Sequence, residues 1–231
     1  MKIVTFNTQH CLNYIQRKID FEIMAKAILE CGGDIVGLNE MRGLGTSPDY
    51  EAQIERLAEL TGMKYFYFAK AIDFPAGPYG NGILSKYPIL KAESIEIPDP
   101  VEKKYNGYYE TRCVLKAEIE GGVTVLITHM GLNPDEAENA VAEVIKHVTD
   151  KKCILMGDFN MEPSNPTLEP IFIKMKDTAK NFCGEKKSFP SDAPRVKIDY
   201  IFVSDDARIT FADIPEIIAS DHRPHVAEVE F

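Results

Sequence analysis

The feature that most constrains this chain is how its apolar runs meet polar residues. Phe6 is followed by Asn7, Leu38 by Asn39-Glu40, Thr128 by His129, and Gly157 by Asp158-Phe159-Asn160. The same punctuation recurs at Ile198-Asp199-Tyr200 and at Ala219-Ser220-Asp221-His222-Arg223-Pro224. Buried strands deliver reactive side chains to the end of a sheet in this way. One such junction is ordinary turn chemistry. Six of them predict strand ends that converge on one rim and form a cleft of amides, carboxylates and imidazoles. The sharpest is Cys153-Ile154-Leu155-Met156-Gly157-Asp158-Phe159-Asn160, where Gly157 lets the backbone turn or a ligand approach closely. In extended chain Asp158 and Asn160 face one side and Phe159 the other. An Asx turn after the strand is the plainer alternative.

Between these junctions the periodicities alternate. Strands are predicted at Lys2 to Phe6, Asp34 to Leu38, Lys64 to Lys70, Ile83 to Ser85, Ile89 to Ile97 and Arg112 to Ile119. More follow at Val123 to Thr128, Cys153 to Met156, Ile198 to Val203, Ile209 to Phe211 and Val226 to Val229. Gly121-Gly122 reads as a hairpin turn. Helical spacing appears at Ile19 to Ile28, stopped by Gly32-Gly33, at Ile54 to Leu60, closed by Gly62, and at Ala137 to Val148, with Asn133 as cap and Pro134 at the first helical position. The irregular stretches Gly43 to Asp49, Pro75 to Gly80, Asp99 to Tyr109 and Gly184 to Arg195 are expected loops, and long loops of this kind often frame a site. The order of elements predicts an α/β sandwich of mixed sheets with helices on its outer faces, folded as a single domain over residues 1–231.

The 45% hydrophobic content supports a large core, and no apolar run is long enough to span a membrane. Five scattered cysteines without metal spacing predict reduced thiols in a cytoplasm. The net charge of −10 argues against a general polyanion binder, although a bound metal reverses the local field. Hard oxygen donors such as Glu40 and Asn7 suit Mg²⁺ or Mn²⁺, so the chemistry that fits is metal-assisted hydrolysis. Asp221, directly before His222, offers a carboxylate to fix an imidazole tautomer.

Taken together, Asn7, Gly37-Leu38-Asn39-Glu40, Asn81-Gly82-Ile83-Leu84-Ser85, Thr128-His129, Gly157-Asp158-Phe159-Asn160, Ile198-Asp199-Tyr200 and Ser220-Asp221-His222-Arg223-Pro224 resemble the endonuclease/exonuclease/phosphatase superfamily. The motifs stand in the family's order over nearly the whole chain. The resemblance implies a four-layer αββα sandwich of two mixed β-sheets flanked by helices, and a Mg²⁺- or Mn²⁺-dependent phosphoric ester hydrolase using in-line water attack. It implies Glu40 as principal metal ligand, with Asn7 beside it contacting metal or phosphate. His129 would donate to a phosphate oxygen, and Asp158 and Asn160 would position or deprotonate the attacking water. Asp199 would orient a neighbouring catalytic group, and Asp221 would hold His222, itself a general base or phosphate-binding imidazole. Arg112 opens a strand and is read either as a bidentate phosphate clamp or as a structural ion pair. Asp199 pairing with Lys197 or a hydroxyl is the plain alternative for that acid. His10, His147 and His225 belong to no motif.

Departures from the family refine the substrate. Thr8-Gln9 follows Asn7 where abasic-site endonucleases carry an acid, His129 stands where they have tyrosine, and the chain has no tryptophan. These features point to the DNase, sphingomyelinase and phosphatase side. The expected substrate is a phosphate ester: a small molecule, nucleotide or lipid headgroup. Nucleic acid held by Lys103-Lys104, Lys186-Lys187, Arg195 and Lys197 is the alternative, and a non-catalytic scaffold is a third reading. The sequence names no protein partner.

Overall fold

The structure is a computed structural model that describes residues 1–48 and 50–231, so Asp49, the end of the expected 43–49 loop, lies outside the described residues. In chain order the strands are β1 (Lys2–Asn7), β2 (Ile35–Arg42), β3 (Tyr65–Phe74), β4 (Gly77–Ser85), β5 (Ile89–Ile97), β6 (Arg112–Ile119), β7 (Val123–His129), β8 (Cys153–Asp158), β9 (Lys176–Asp177), β10 (Asp199–Val203), β11 (Arg208–Asp213) and β12 (His225–Glu230). The α-helices are α1 (Phe21–Cys31), α2 (Gln53–Thr61), α3 (Pro134–His147) and α4 (Glu169–Lys174). The strands form two six-stranded mixed sheets, ordered β11-β12-β1-β2-β4-β3 and β5-β6-β7-β8-β10-β9.

Strands buried on both faces explain the layers. In β1, Ile3 belongs to a core between the two sheets with Ile35, Ile83, Leu115, Ile127, Met156 and Ile201. Its neighbours Val4 and Phe6 face the other way, onto α1 and α2. On the far side Leu126, Leu155 and Phe202 face α3 and α4. A period of two along strands with no wet face thus builds three apolar seams and four layers, the αββα arrangement expected from the sequence.

Local signals set the helix ends. Asp20 caps α1 by accepting from the Ile23 N–H (3.1 Å), and Glu136 reaches back to the Asn133 N–H (3.2 Å) ahead of Pro134. One expected loop is corrected. Residues 75–80 belong almost wholly to the β3–β4 hairpin, which closes tightly with Phe74 opposite Gly77. The proline and glycines there read as turn residues, but Pro78 sits at the end of the ladder, where its carbonyl accepts from the Gly43 N–H (2.9 Å) and its missing N–H costs little.

Strand direction is what gathers the polar junctions. The parallel pairs β1–β2 and β7–β8 leave their sheets at the same rim, at Asn7, Asn39, His129 and Asp158. The strands β10 and β12 run antiparallel to β8 and β1, so they enter at that rim, placing Asp199 opposite Asp158 and His225 opposite Thr5. The sequence marked the start of β10 as well as the ends of its neighbours, and antiparallel pairing brings both kinds of terminus to one place.

Gly157 lies where β8 reaches the rim. Its φ is +144°, and a Cβ there would stand 1.8 Å from the Thr128 carbonyl oxygen of the paired strand. Substituting Gly157→Ala should therefore push β7 and β8 apart, destabilising the protein by roughly 3 kcal/mol or more. Urea denaturation would measure this, and a variant as stable as the wild type would show that the strands have room to move.

Candidate active site

The rim residues form one connected network. Asn7 is fully buried at the end of β1. Its amide oxygen accepts the Gln9 N–H (3.0 Å), which turns its nitrogen towards the cleft to donate to Glu40 Oε1 (3.0 Å) and Asp158 Oδ2 (3.1 Å). Asn7 therefore acts on the two acids as a donor.

Glu40 reaches this network through a β-bulge. The β2–β4 register passes from Leu38 opposite Gly82 to Met41 opposite Gly80, so Asn39 and Glu40 share one partner position. Glu40 takes φ +61°, an uncommon backbone for a residue with a side chain. The bulge aims its carboxylate at Asn7 and into hydrogen-bonding contact with the Tyr79 hydroxyl. Burial, then the nearby charges of Glu40 and Glu110, raise the Tyr79 pKa far above its usual range, so the phenol stays a donor.

Asp158 accepts the Asn160 N–H on Oδ1 (2.9 Å). This is the Asx turn that the sequence offered as the plainer reading, and Asn160 takes φ +51° rather than an extended conformation. The turn still serves the site: the Asn160 amide donates to the Met130 carbonyl (2.9 Å) and lies 3.3 Å from His129 Nε2. Phe159 points the opposite way, as expected, and packs edge-on against Tyr200 at 5.1 Å. Asp158 Oδ2 lies 3.6 Å from both His129 Nε2 and His222 Nε2.

The two imidazoles are held differently. His222 Nδ1 is 2.9 Å from Asp199 Oδ2. Asp199 thus occupies the role expected of Asp221, whose carboxylate instead accepts from the neighbouring Ser220 hydroxyl (3.0 Å). Consecutive side chains diverge from a non-helical backbone, so sequence adjacency worked against Asp221. Lys197 does not hold Asp199 through a salt bridge; it pairs with Asp177 at 3.6 Å and lies over the Tyr200 ring. His129 Nδ1 is 2.8 Å from Arg112 Nη1. A guanidinium only donates, so Nδ1 accepts and the ring proton sits on Nε2, facing Asp158. Arg112 also pairs with Glu110 at 2.7 Å, both side chains being largely buried. This is the ion-pair alternative to the phosphate clamp.

Two site residues escaped the sequence reading. Tyr79 lies within residues 75–80, whose composition predicts a loop, but it pairs with Ile72 in the β3–β4 hairpin. Phe189, whose ring lies 4.8 Å from that of His222, sits in the 184–195 loop that was expected to frame a site. Its neighbour Ser188 accepts the Asp199 N–H (3.4 Å).

Electrostatics follow from the burial. Burial raises the Asp158 pKa to about 7, with Asp199 adding and His222 opposing. For His222 burial pulls downward, but the carboxylates of Asp199 and Asp158 overcome it and hold the imidazole at about 10. His129 is pushed well below its usual value by burial, then by Arg112 and His222, and is neutral. Asp158, Asp199 and His222 each offer a ligand atom within 4.8 Å of the others, and Asp199 Oδ1 is buried without a hydrogen-bond partner.

Comparison with known proteins agrees with this architecture. A model of the Endonuclease/Exonuclease/phosphatase family matches residues 4–222. The uncharacterised protein YbhP of Escherichia coli K12 is 25% identical over 253 residues, spanning 99% of this chain and 95% of its own. Among solved structures, an endonuclease/exonuclease/phosphatase from Beutenbergia cavernae superposes with a TM-score of 0.78 at 21% identity, covering 100% of this chain and 71% of that one. A mannosyl-6-phosphatase from Bacteroides thetaiotaomicron does so with 0.78 at 15% identity, covering 100% of both.

A proton held more tightly in the folded state stabilises the fold at low pH. The His222 contribution is complete below its ordinary value of 6.5 and is lost as pH rises through about 10. In chelator-treated protein, Asp199→Asn keeps the shape but removes the charge. It should cost about 1.5–3 kcal/mol near pH 6 and flatten the decline of stability between pH 6.5 and 10. Denaturant midpoints across that range measure it, and an unchanged slope would mean that Asp199 does not hold the His222 proton.

Proposed function

We propose that this chain, which belongs to the endonuclease/exonuclease/phosphatase family, hydrolyses a phosphate ester by in-line attack of water, with Mg²⁺ or Mn²⁺ held at Glu40. The observation that carries this reading is the run of polar contacts Glu40–Asn7–Asp158–His222–Asp199, hydrogen-bonded but for the 3.6 Å gap between Asp158 and His222, drawn from both sheets onto one rim. Clustered buried acids and imidazoles of this kind are costly to keep and are characteristic of catalytic sites.

Each residue then has a role that follows from its protonation. Asp158, held near neutrality, is matched to taking a proton from water at physiological pH. His222, kept protonated by Asp199, donates to a phosphoryl oxygen rather than acting as the base. His129 presents Nε2–H for the same purpose, with Arg112 fixing its tautomer from behind. Asn160 completes the wall beside His129. Glu40 offers a carboxylate partly open to solvent, a hard donor suited to a divalent ion. Bound there, such an ion draws charge off the phosphoryl group.

A small phosphate ester fits better than nucleic acid. Of the lysines expected to line a groove, Lys197 is buried, Lys186 pairs with Asp213 (3.0 Å) and Lys187 with Glu185 (3.0 Å). Lys103, Lys104 and Arg195 remain exposed, so the case against a polyanion rests mainly on the net charge of −10. A sugar phosphate, the substrate class in the name of the Bacteroides structure, is a natural first choice. The five free thiols suit a reducing compartment such as the cytoplasm, and no described helix is long and apolar enough to cross a membrane.

Assayed against sugar phosphates, a phosphodiester and plasmid with Mg²⁺ or Mn²⁺, the protein should hydrolyse the small esters and lose that activity to a chelator. Asp158→Asn should lower kcat by roughly 10²–10⁴ while retaining its circular dichroism spectrum. Full activity in that variant would remove Asp158 from the chemistry.

A further inference from the structure

The segment that follows Asn7 is strained in a way that the roles above do not use. Gln9, His10 and Cys11 take φ of +46°, +48° and +61° in succession. None is glycine, and a left-handed residue costs about 1–2 kcal/mol each. Such a run persists only where the surroundings enforce it. Here the Asn7 amide oxygen binds the Gln9 N–H (3.0 Å). The fully buried Gln53 donates to the His10 carbonyl (2.8 Å) and accepts from the Arg42 N–H (2.9 Å). Cys11 is sunk in the core.

The result is that His10 faces Glu40. Its Nδ1 lies 3.9 Å from Glu40 Oε2, and both side chains are about a quarter open to solvent (24% and 22%). Glu40 is itself aimed by an unfavourable backbone, φ +61°. Two strained segments, from the ends of β1 and β2, thus bring an imidazole nitrogen and a carboxylate oxygen together at the rim. Two donors each about 2.1 Å from one ion stand roughly 3.0–4.2 Å apart, which brackets the separation found here. An all-oxygen set suits Mg²⁺, whereas an imidazole suits first-row transition metals, which bind nitrogen more tightly.

We propose that His10 supplies a nitrogen donor to the cation position at Glu40 and so selects a first-row transition-metal dication over Mg²⁺. The inference rests on the metal-dependent reading of that site. It adds a residue from outside every motif and a metal preference that the oxygen donors alone do not give.

The test is binding rather than turnover. Mn²⁺ and Mg²⁺ are titrated by calorimetry into full-length wild type, His10→Asn and Glu40→Gln, and bound Mn²⁺ is examined by pulsed EPR for nitrogen coupling. Asparagine tolerates a left-handed backbone, so His10→Asn should keep the turn, and circular dichroism checks the fold. The expected result is that His10→Asn weakens Mn²⁺ binding by about tenfold or more, leaves Mg²⁺ binding nearly unchanged and removes a nitrogen coupling. Equal Mn²⁺ affinity and unchanged coupling in His10→Asn, with binding still lost in Glu40→Gln, would overturn the role of His10 and leave the proposed function standing. Absence of any divalent binding in the wild type would overturn both.

Discussion

The site depends on one buried amide, that of Asn39. It is fully buried at the end of β2, donates to the Asn81 side chain (2.8 Å) and to the Thr128 carbonyl (3.0 Å), and accepts the Asp158 N–H (3.0 Å). Asn81 in turn donates to the Cys113 carbonyl (3.1 Å). A single side chain thereby ties β2 and β4 of one sheet to β7 and β8 of the other, at the rim where both sheets supply reactive groups. Away from this end the sheets meet through apolar side chains, which are non-directional and would tolerate small slides. Hydrogen bonds in a dry interior are directional, and leaving any one unmade is costly. Asn39 therefore converts a greasy contact into a fixed registration, and the distances around Asp158 inherit that precision.

That registration explains why the roles divide as they do between acids of similar sequence context. Asp158 and Asp199 are both buried strand termini, yet they differ in partners. Asp199 has a near, aligned imidazole at 2.9 Å, and its carboxylate helps hold the proton of His222. Asp158 sits between two imidazoles at 3.6 Å, only one of which is protonated, so its own proton is the least firmly assigned in the network. In the proposed hydrolysis, a group in that position is suited to exchanging a proton with water. The neutral state of His129 follows first from its burial and then from Arg112, whose charge repels a second proton from the ring.

The fold and the membership of the rim were legible in the sequence because both depend on local pattern. Apolar runs, capping residues and polar junctions are short-range signals, and Asn7, Glu40, His129, Asp158, Asn160, Asp199 and His222 all announce themselves as the polar residues beside such runs. What was not legible depends on pairing across the chain. Asp221 and Asp199 are equally good partners for His222 until the antiparallel entry of β10 puts one beside it and chain direction turns the other away. Residues 75–80 look like a loop until the hairpin register is known, and so Tyr79 was missed. His10 had nothing in its favour until the turn that carries it was seen to face Glu40.

The distribution of backbone strain sharpens this point. The described residues with side chains and positive φ are Gln9, His10, Cys11, Arg17, Glu40, Lys152 and Asn160. Of these, Gln9, His10, Glu40 and Asn160 contact the polar network directly. Glycine would fill any of those backbones at lower conformational cost, and at Gly157, where the partner carbonyl leaves no room for a Cβ, glycine is what the chain uses. At Glu40 and Asn160 the chain accepts the strain because the side chain must project from that point. A strand of regular pleat can present only alternate residues to the rim, fixed in direction by the sheet. Bulges and left-handed turns break that alternation, which lets adjacent positions such as Asn39 and Glu40 serve two purposes, one clasping the sheets together and the other facing the cleft.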